Sequence, residues 1–225
     1  MVRMNQLDFS GLTFGPADLV SEGGERFVYR HLNYPNFVFK RQKKGEELEH
    51  KSGLKGWMLR RFPESTKRII KKEYRAYVDT CLAAYDDLDK LPISKIYGFA
   101  QSNIGVVQIS EKITLDGVNI GPTLANLHQT TGISAEKMEM MNNFVDLLLR
   151  FNMPTNDVSA QNIVLGKRNG IEGFFCVDGF GDIHLIPVRT YFARVRRDML
   201  AERMQKMAVG LNIHFDKQSF CFSMS

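Results

Sequence analysis

No stretch of the chain approaches the roughly 20 consecutive apolar residues that a membrane-spanning helix needs. The opening MVRMNQLDFSGLTFG likewise has no apolar core of signal-peptide length. The expectation is a soluble, cytoplasmic protein. Cysteine is scarce: Cys81, Cys176 and Cys221 are odd in number and far apart, with no Cys-x-x-Cys pair and no histidine placed to complete a zinc site. They read as three reduced thiols, mostly buried. Fixed-period repeats and low-complexity tracts are also missing, which removes support for a solenoid or a disordered tail.

What is present suits a folded chain. At 225 residues, 44% hydrophobic and 24% charged, it can bury a sizeable core as one large domain or two small lobes. The net charge is +5, with the excess in residues 40–75 and in RTYFARVRRDMLAERMQKM. Such a balance suits nucleotides, phosphorylated substrates, nucleic acid or membrane surfaces without choosing among them. The second stretch reads as a helix over about residues 189–207, and its Arg194, Arg196 and Arg197 read as a solvated face in preference to a nucleic-acid or membrane patch.

Along the chain, RFVYR and FVFKR are β-prone runs joined by the turn-forming HLNYPN, a hairpin preceded by a glycine turn in SEGGERFVY. Residues 43–56 are charged, contain three glycines and lack a period, as an exposed insertion does. In ESTKRIIKKEYRAYVDTCLAAY, Ile69, Ile70, Tyr74, Tyr77, Val78, Cys81 and Leu82 recur at helical spacing, with Ser65 or Thr66 as the cap. SKIYGFAQSNIGVVQISEKI reads as two strands around a polar turn, followed by the linker TLDGVNIGP. A lobe boundary there divides one domain, 1–225, into residues 1–111 and 112–225. In the second part, Met138, Met141, Val145 and Leu148 mark a helix with a buried stripe, the methionines filling core. NIVL and FFCVD then form a hairpin across GKRNGIEG.

This order, a glycine turn, a strand lysine, a helix glutamate, a sheet, a linker, a helix, then Asp-x-x-x-x-Asn and a hairpin ending in Asp, resembles the protein-kinase-like fold. The fold class expected is therefore α+β and two-lobed, an antiparallel-sheet N-lobe with a small, shortened helical C-lobe. Phosphoryl transfer depends on positioning and charge neutralisation, and each residue fits a part of it. Gly23 and Gly24 let backbone N–H groups approach nucleotide phosphates. Lys40 neutralises those phosphates and Glu73 holds the lysine. Asp157 orients or deprotonates the acceptor hydroxyl, and Asn162 and Asp178 offer oxygen ligands to Mg²⁺. ATP and Mg²⁺ are thus the implied cofactors, and the nucleotide and an unidentified phosphoryl acceptor the implied partners. Across SEGGERFVYRH, DVSAQNIVL and VDGFGDIHLIPVRTYFARVRRD the chain resembles the PhoP regulatory network protein YrbL family, over most of residues 18–208. The family name implies a link to a bacterial two-component regulon.

The pattern also departs from the kinase template. Anchored on Val28, the three glycine positions of G-x-G-x-x-G-x-V hold Ser21, Gly23 and Arg26, so Arg26 is expected to add positive charge where the loop is less open. The His-Arg-Asp position reads Thr155-Asn156-Asp157, which argues against control by a phosphorylated activation loop. Ser159 stands where many protein kinases have lysine, which argues against protein substrates. The metal motif is Asp178-Gly179-Phe180-Gly181, one residue longer than Asp-Phe-Gly, and Asp182 competes with Asp178. No Ala-Pro-Glu follows, and a full peptide-docking lobe is not expected. Three readings stay open: a divergent ATP-dependent phosphotransferase acting on a small molecule or cell component, a pseudokinase acting as a regulatory binding module, and a basic binder of nucleic acid or membrane surfaces.

Overall fold

The computed structural model describes residues 8–44, 47, 64–153, 158–179 and 193–224. The chain forms two compact units, Met1–Lys67 with Lys95–Lys112, and Arg68–Ser94 with Ile113–Ser225. Among the described residues no helix is long and apolar enough to cross a membrane.

The first unit is a five-stranded antiparallel sheet: β1 (Leu19–Glu22), β2 (Arg26–Tyr29), β3 (Phe37–Gln42), β4 (Ile96–Ser102) and β5 (Gly105–Glu111), in the order β1-β2-β3-β5-β4. Alternation along the strands separates two faces. One buries Tyr29, Phe39, Val107 and Ile109 against Leu12 and Phe14 of the preceding segment. Phe14 lies 5.2 Å from the Phe39 ring, and each such ring, once buried, stabilises by about 1.5–3 kcal/mol. The carboxamide of Asn103 ties this segment down, accepting from Phe14 N at 2.9 Å and donating to Phe14 O at 3.0 Å. Of the expected insertion only Lys43, Lys44 and Glu47 are described; Lys43 pairs with Glu22 at 2.5 Å and Arg41 with Glu47 at 2.7 Å. The rest of that segment lies outside the described residues.

The second unit contains α1 (Glu64–Ala84) from Arg68 onward, α2 (Leu124–Thr130), α3 (Ala135–Arg150) and α4 (Ala193–Gly210). In α1, Ser65 and Thr66 lie within the helix and do not precede it as caps. Its inward face is built on Glu73, Thr80 and Ala84, while Tyr74, Val78 and Leu82 are exposed. Periodicity identifies the helix but cannot tell which of two adjacent faces is covered. Ser134 caps α3, its hydroxyl accepting from Lys137 N, and the expected stripe of Met138, Met141, Val145 and Leu148 is buried, joined by Phe144. The start of α4 read near residue 189 lies outside the described residues, as do the side chains of Arg194 and Arg196. Arg197 is exposed, as the solvated reading expects, and its guanidinium also stacks 4.6 Å over the Phe220 ring. Phe220 belongs to a terminal hairpin, β8 (His214–Asp216) with β9 (Cys221–Ser223), that periodicity did not reveal. Asn142 of α3 holds it through Phe222 N and Phe222 O at 2.7 and 3.1 Å. Of the three thiols only Cys176 is buried; Cys81 is half-buried and Cys221 exposed, a correction to the mostly buried expectation.

The hairpin of β6 (Ile163–Arg168) and β7 (Ile171–Cys176) turns through Asn169 and Gly170, both with left-handed φ (52° and 79°), so the strands run well into what reads as a long turn. Its outer edges are satisfied by segments that are not strands. Leu165 N donates to Pro122 O at 3.0 Å and Lys167 N to Thr114 O at 2.7 Å. On the other edge Cys176 N donates to Pro92 O at 2.8 Å and Ser94 N to Cys176 O at 3.0 Å. Arg168, buried and 4.5 Å over the Phe175 ring, caps Leu91 O and Ile93 O at 2.6 and 2.7 Å. The linker turns at Asp116, whose carboxylate accepts from the backbone of Asn119 and Val118, which lowers its pKa from 3.8 to about 2. That cap is therefore complete above the ordinary carboxylate range and lost as pH falls through about 2.

A Cβ on Gly121 would stand 1.9 Å from Leu165 O, and one on Gly166 would stand 2.4 Å from Ile113 Cγ2 and 2.9 Å from Thr114 O, whereas one on Gly173 meets nothing within 4 Å. Gly166→Ala and Gly121→Ala are each expected to lower stability in urea denaturation by about 1–3 kcal/mol, and Gly173→Ala to stay within about 0.5 kcal/mol. Equal effects at the three positions would show that close backbone approach is not what sets this hairpin. Arg168→Met should cost about 3 kcal/mol in the same measurement, because it strands two buried carbonyls.

Candidate functional site

In the first unit the expected residues fall on the sheet face opposite the aromatic core. Lys40 on β3 is only 7% exposed, and its register partners are Val28 on β2 and Gln108 on β5. Residues directly opposite in an antiparallel ladder project to the same side. Arg26, opposite Gln42, shares this face and donates from Nε to Gln42 Oε1 at 3.1 Å. Gln108 donates to Ser110 Oγ at 3.2 Å. The face thus assembles buried Arg26, Lys40, Gln108 and Ser110, two cations and two neutral polar groups. A lysine in an exposed strand is common; burial carries a desolvation cost that makes this one different. Gln108 and Ser110 were missed because a glutamine and a serine in a strand carry no signal until the register sets them beside Lys40.

Gly23 and Gly24 form the turn between β1 and β2, closed by Gly23 N donating to Arg26 O at 2.8 Å. Neither has a positive φ, and a Cβ would meet nothing within 4 Å at Gly24 and only Arg26 O, at 3.5 Å, at Gly23. Neither the backbone conformation nor packing therefore requires glycine here; what glycine leaves is room above the turn.

In the second unit Glu73 is 4% exposed on the inward face of α1. The β6–β7 hairpin brings Asn162 and Asp178 to one end. Ile163 pairs with Cys176, and Val177 N donates to Asn162 O at 2.9 Å, so Asp178 lies one residue beyond the last rung. Both side chains are half-buried. Asp178 accepts from Gly179 N at 2.8 Å, its carbonyl accepts from the buried Cys176 thiol at 2.9 Å, and Gly179 turns away with φ +78°. The extra glycine relative to Asp-Phe-Gly thus occupies a left-handed position that a side chain would strain. A carboxylate and a carboxamide at one strand end are hard oxygen donors that fit Mg²⁺, which takes few protein ligands. Among the described residues no cluster of three or more His, Cys, Asp or Glu could hold a metal by itself. Asp157, the expected base, and Thr155, Asn156 and Asp182 lie outside the described residues.

No curated protein matches the chain. Among solved structures, a crystal structure of a kinase domain is similar over 71% of this chain at 14% sequence identity, with a TM-score of 0.42. The match covers 48% of that structure's chain, so this protein spans about half its length. The family model for the PhoP regulatory network protein YrbL matches residues 12–211, a span that holds every candidate residue above, and the chain belongs to that family.

Proposed function

We propose that this protein is a divergent, kinase-like phosphotransferase that uses ATP and Mg²⁺ to phosphorylate a small-molecule or cell-component acceptor. The observation that carries this reading is the hairpin register that brings Asn162 and Asp178 to one strand end, beside a turn that only glycine adopts without strain. In the first unit, buried Lys40 and Arg26 supply positive charge to the phosphates, and Gly23 and Gly24 leave the backbone open to them. In the second unit, Asn162 and Asp178 hold the metal, and Asp157 orients the acceptor hydroxyl and takes its proton as the γ-phosphoryl group leaves ADP. Glu73, on the inward face of α1, fits the role of the glutamate that steadies the lysine.

A second reading, nucleotide binding without transfer, is favoured by one observation: the third glycine position of the loop is filled by a buried arginine that is already bonded to Gln42.

The first reading is tested by thermal shift and by phosphoryl transfer. Saturating ATP should raise the melting temperature only with Mg²⁺, by the equivalent of about 2.7 kcal/mol at a hundredfold excess over Kd. Asp178→Ala should lose the Mg²⁺ dependence, and Asp157→Ala should abolish transfer or slow ATP hydrolysis while the fold is kept. No shift at millimolar ATP with Mg²⁺ would sink both readings, and binding without any transfer would leave the second. Gly179→Ala should cost about 1–2 kcal/mol in stability and weaken Mg²⁺ in titrations of the ATP complex, because it displaces the turn that aims Asp178. Unchanged Mg²⁺ affinity in that variant would separate the turn from the metal.

A further inference from the structure

The exposed side of α1 has no role in the proposed chemistry. Tyr74, Val78 and Leu82 follow one another at helical spacing, and Tyr85 continues the row into the 3-10 turn Tyr85–Lys90. Leu82 is 70% exposed and Tyr85 79%, in a helix whose opposite face already buries Glu73, Thr80 and Ala84. The row therefore belongs to a second, separate face.

In the sequence, charge along this helix and the turn after it is polarised. Residues 64–75 contain five basic residues (Lys67, Arg68, Lys71, Lys72 and Arg75) and two acidic ones (Glu64 and Glu73). Residues 76–90 contain four acidic residues (Asp79, Asp86, Asp87 and Asp89) and one basic, Lys90. Asp87 is engaged by Lys90 and Arg150 at 2.8 and 2.6 Å, Arg75 pairs with Asp79 of its own helix at 3.8 Å, and Glu73 is buried, while the side chains of Lys71 and Arg75 at one end and Asp86 at the other are exposed.

We propose that this face pairs with the same face of a second copy of the chain, the two helices antiparallel about a two-fold axis that passes between Val78 and Leu82. Antiparallel pairing sets Lys71 and Arg75 of each copy against the acidic turn of the other, whereas parallel pairing would oppose like charges. A two-fold contact uses the same patch on both copies, and a helix basic at one end and acidic at the other is complementary to its own reverse. From Tyr74 to Tyr85 the row is only about 17 Å long at 1.5 Å per residue. A row of that length is small beside the roughly 800 Å² per partner of a stable interface, so a weak, concentration-dependent dimer is expected.

Sedimentation velocity of the full chain, at concentrations from about 1 to 200 µM in low salt, tests this. The expected result is a monomer–dimer equilibrium that weakens as salt is raised. Leu82→Asp should give a monomer with unchanged melting temperature, since the side chain is exposed in the monomer. Arg75→Glu should weaken the dimer about tenfold, because each ion pair occurs twice across the axis, and adding Asp86→Arg should restore it. A monomer at the highest concentration, as another protein or another segment of this chain on the face would leave it, overturns the proposal. So does a dimer that survives Leu82→Asp.

Discussion

The second unit depends on backbone meeting backbone at Gly121 and Gly166. The β6–β7 hairpin has two outer edges, and each row of N–H and C=O groups needs a partner once it is buried. Neither partner is a strand: residues 114–123 run along one edge and residues 91–94 along the other. The first approach is so close that a single Cβ at either glycine would collide with a carbonyl or a neighbouring methyl. Helix α2 begins directly after this approach, capped by Thr123, and Arg168 locks the opposite flank by capping the carbonyls that precede Ser94. Held from both sides, the hairpin has little freedom to shift register, and the positions of Asn162 and Asp178 follow from it.

The first unit answers to a different constraint. A five-stranded sheet has one face for an apolar core, and here the aromatic residues of β2, β3 and the N-terminal segment take it. The other face is left to Arg26, Lys40, Gln108 and Ser110, which are nonetheless buried. Burying cations has a desolvation cost that an apolar face would avoid, which sets this face apart from the aromatic one.

Much of this was legible in the residues. The β2–β3 and β4–β5 hairpins, helix α1, the methionine stripe of α3 and the β6–β7 hairpin follow from alternation, from helical spacing and from Asn-Gly at a turn, because those signals are local. The candidate residues Gly23, Gly24, Arg26, Lys40, Glu73, Asn162 and Asp178 could be named because each stands at a fixed offset from such an element. The terminal β8–β9 hairpin escaped notice because its strands are three residues long and are secured by Asn142, far away in sequence. Which face of α1 is exposed was not legible, because an apolar residue at helical spacing has the same pattern whether it is covered or exposed.

By itself the sequence determined the order of elements and the residue types able to bind phosphate and Mg²⁺, since both rest on short-range pattern and on side-chain chemistry. Only the tertiary structure decided that Lys40 and Glu73 are buried, that Gln108 stands beside Lys40, that Gly179 is required by a left-handed turn, and that Asn162 and Asp178 share one strand end. Burial and register come from contacts between residues remote in sequence, and no local pattern encodes which remote segment will meet which.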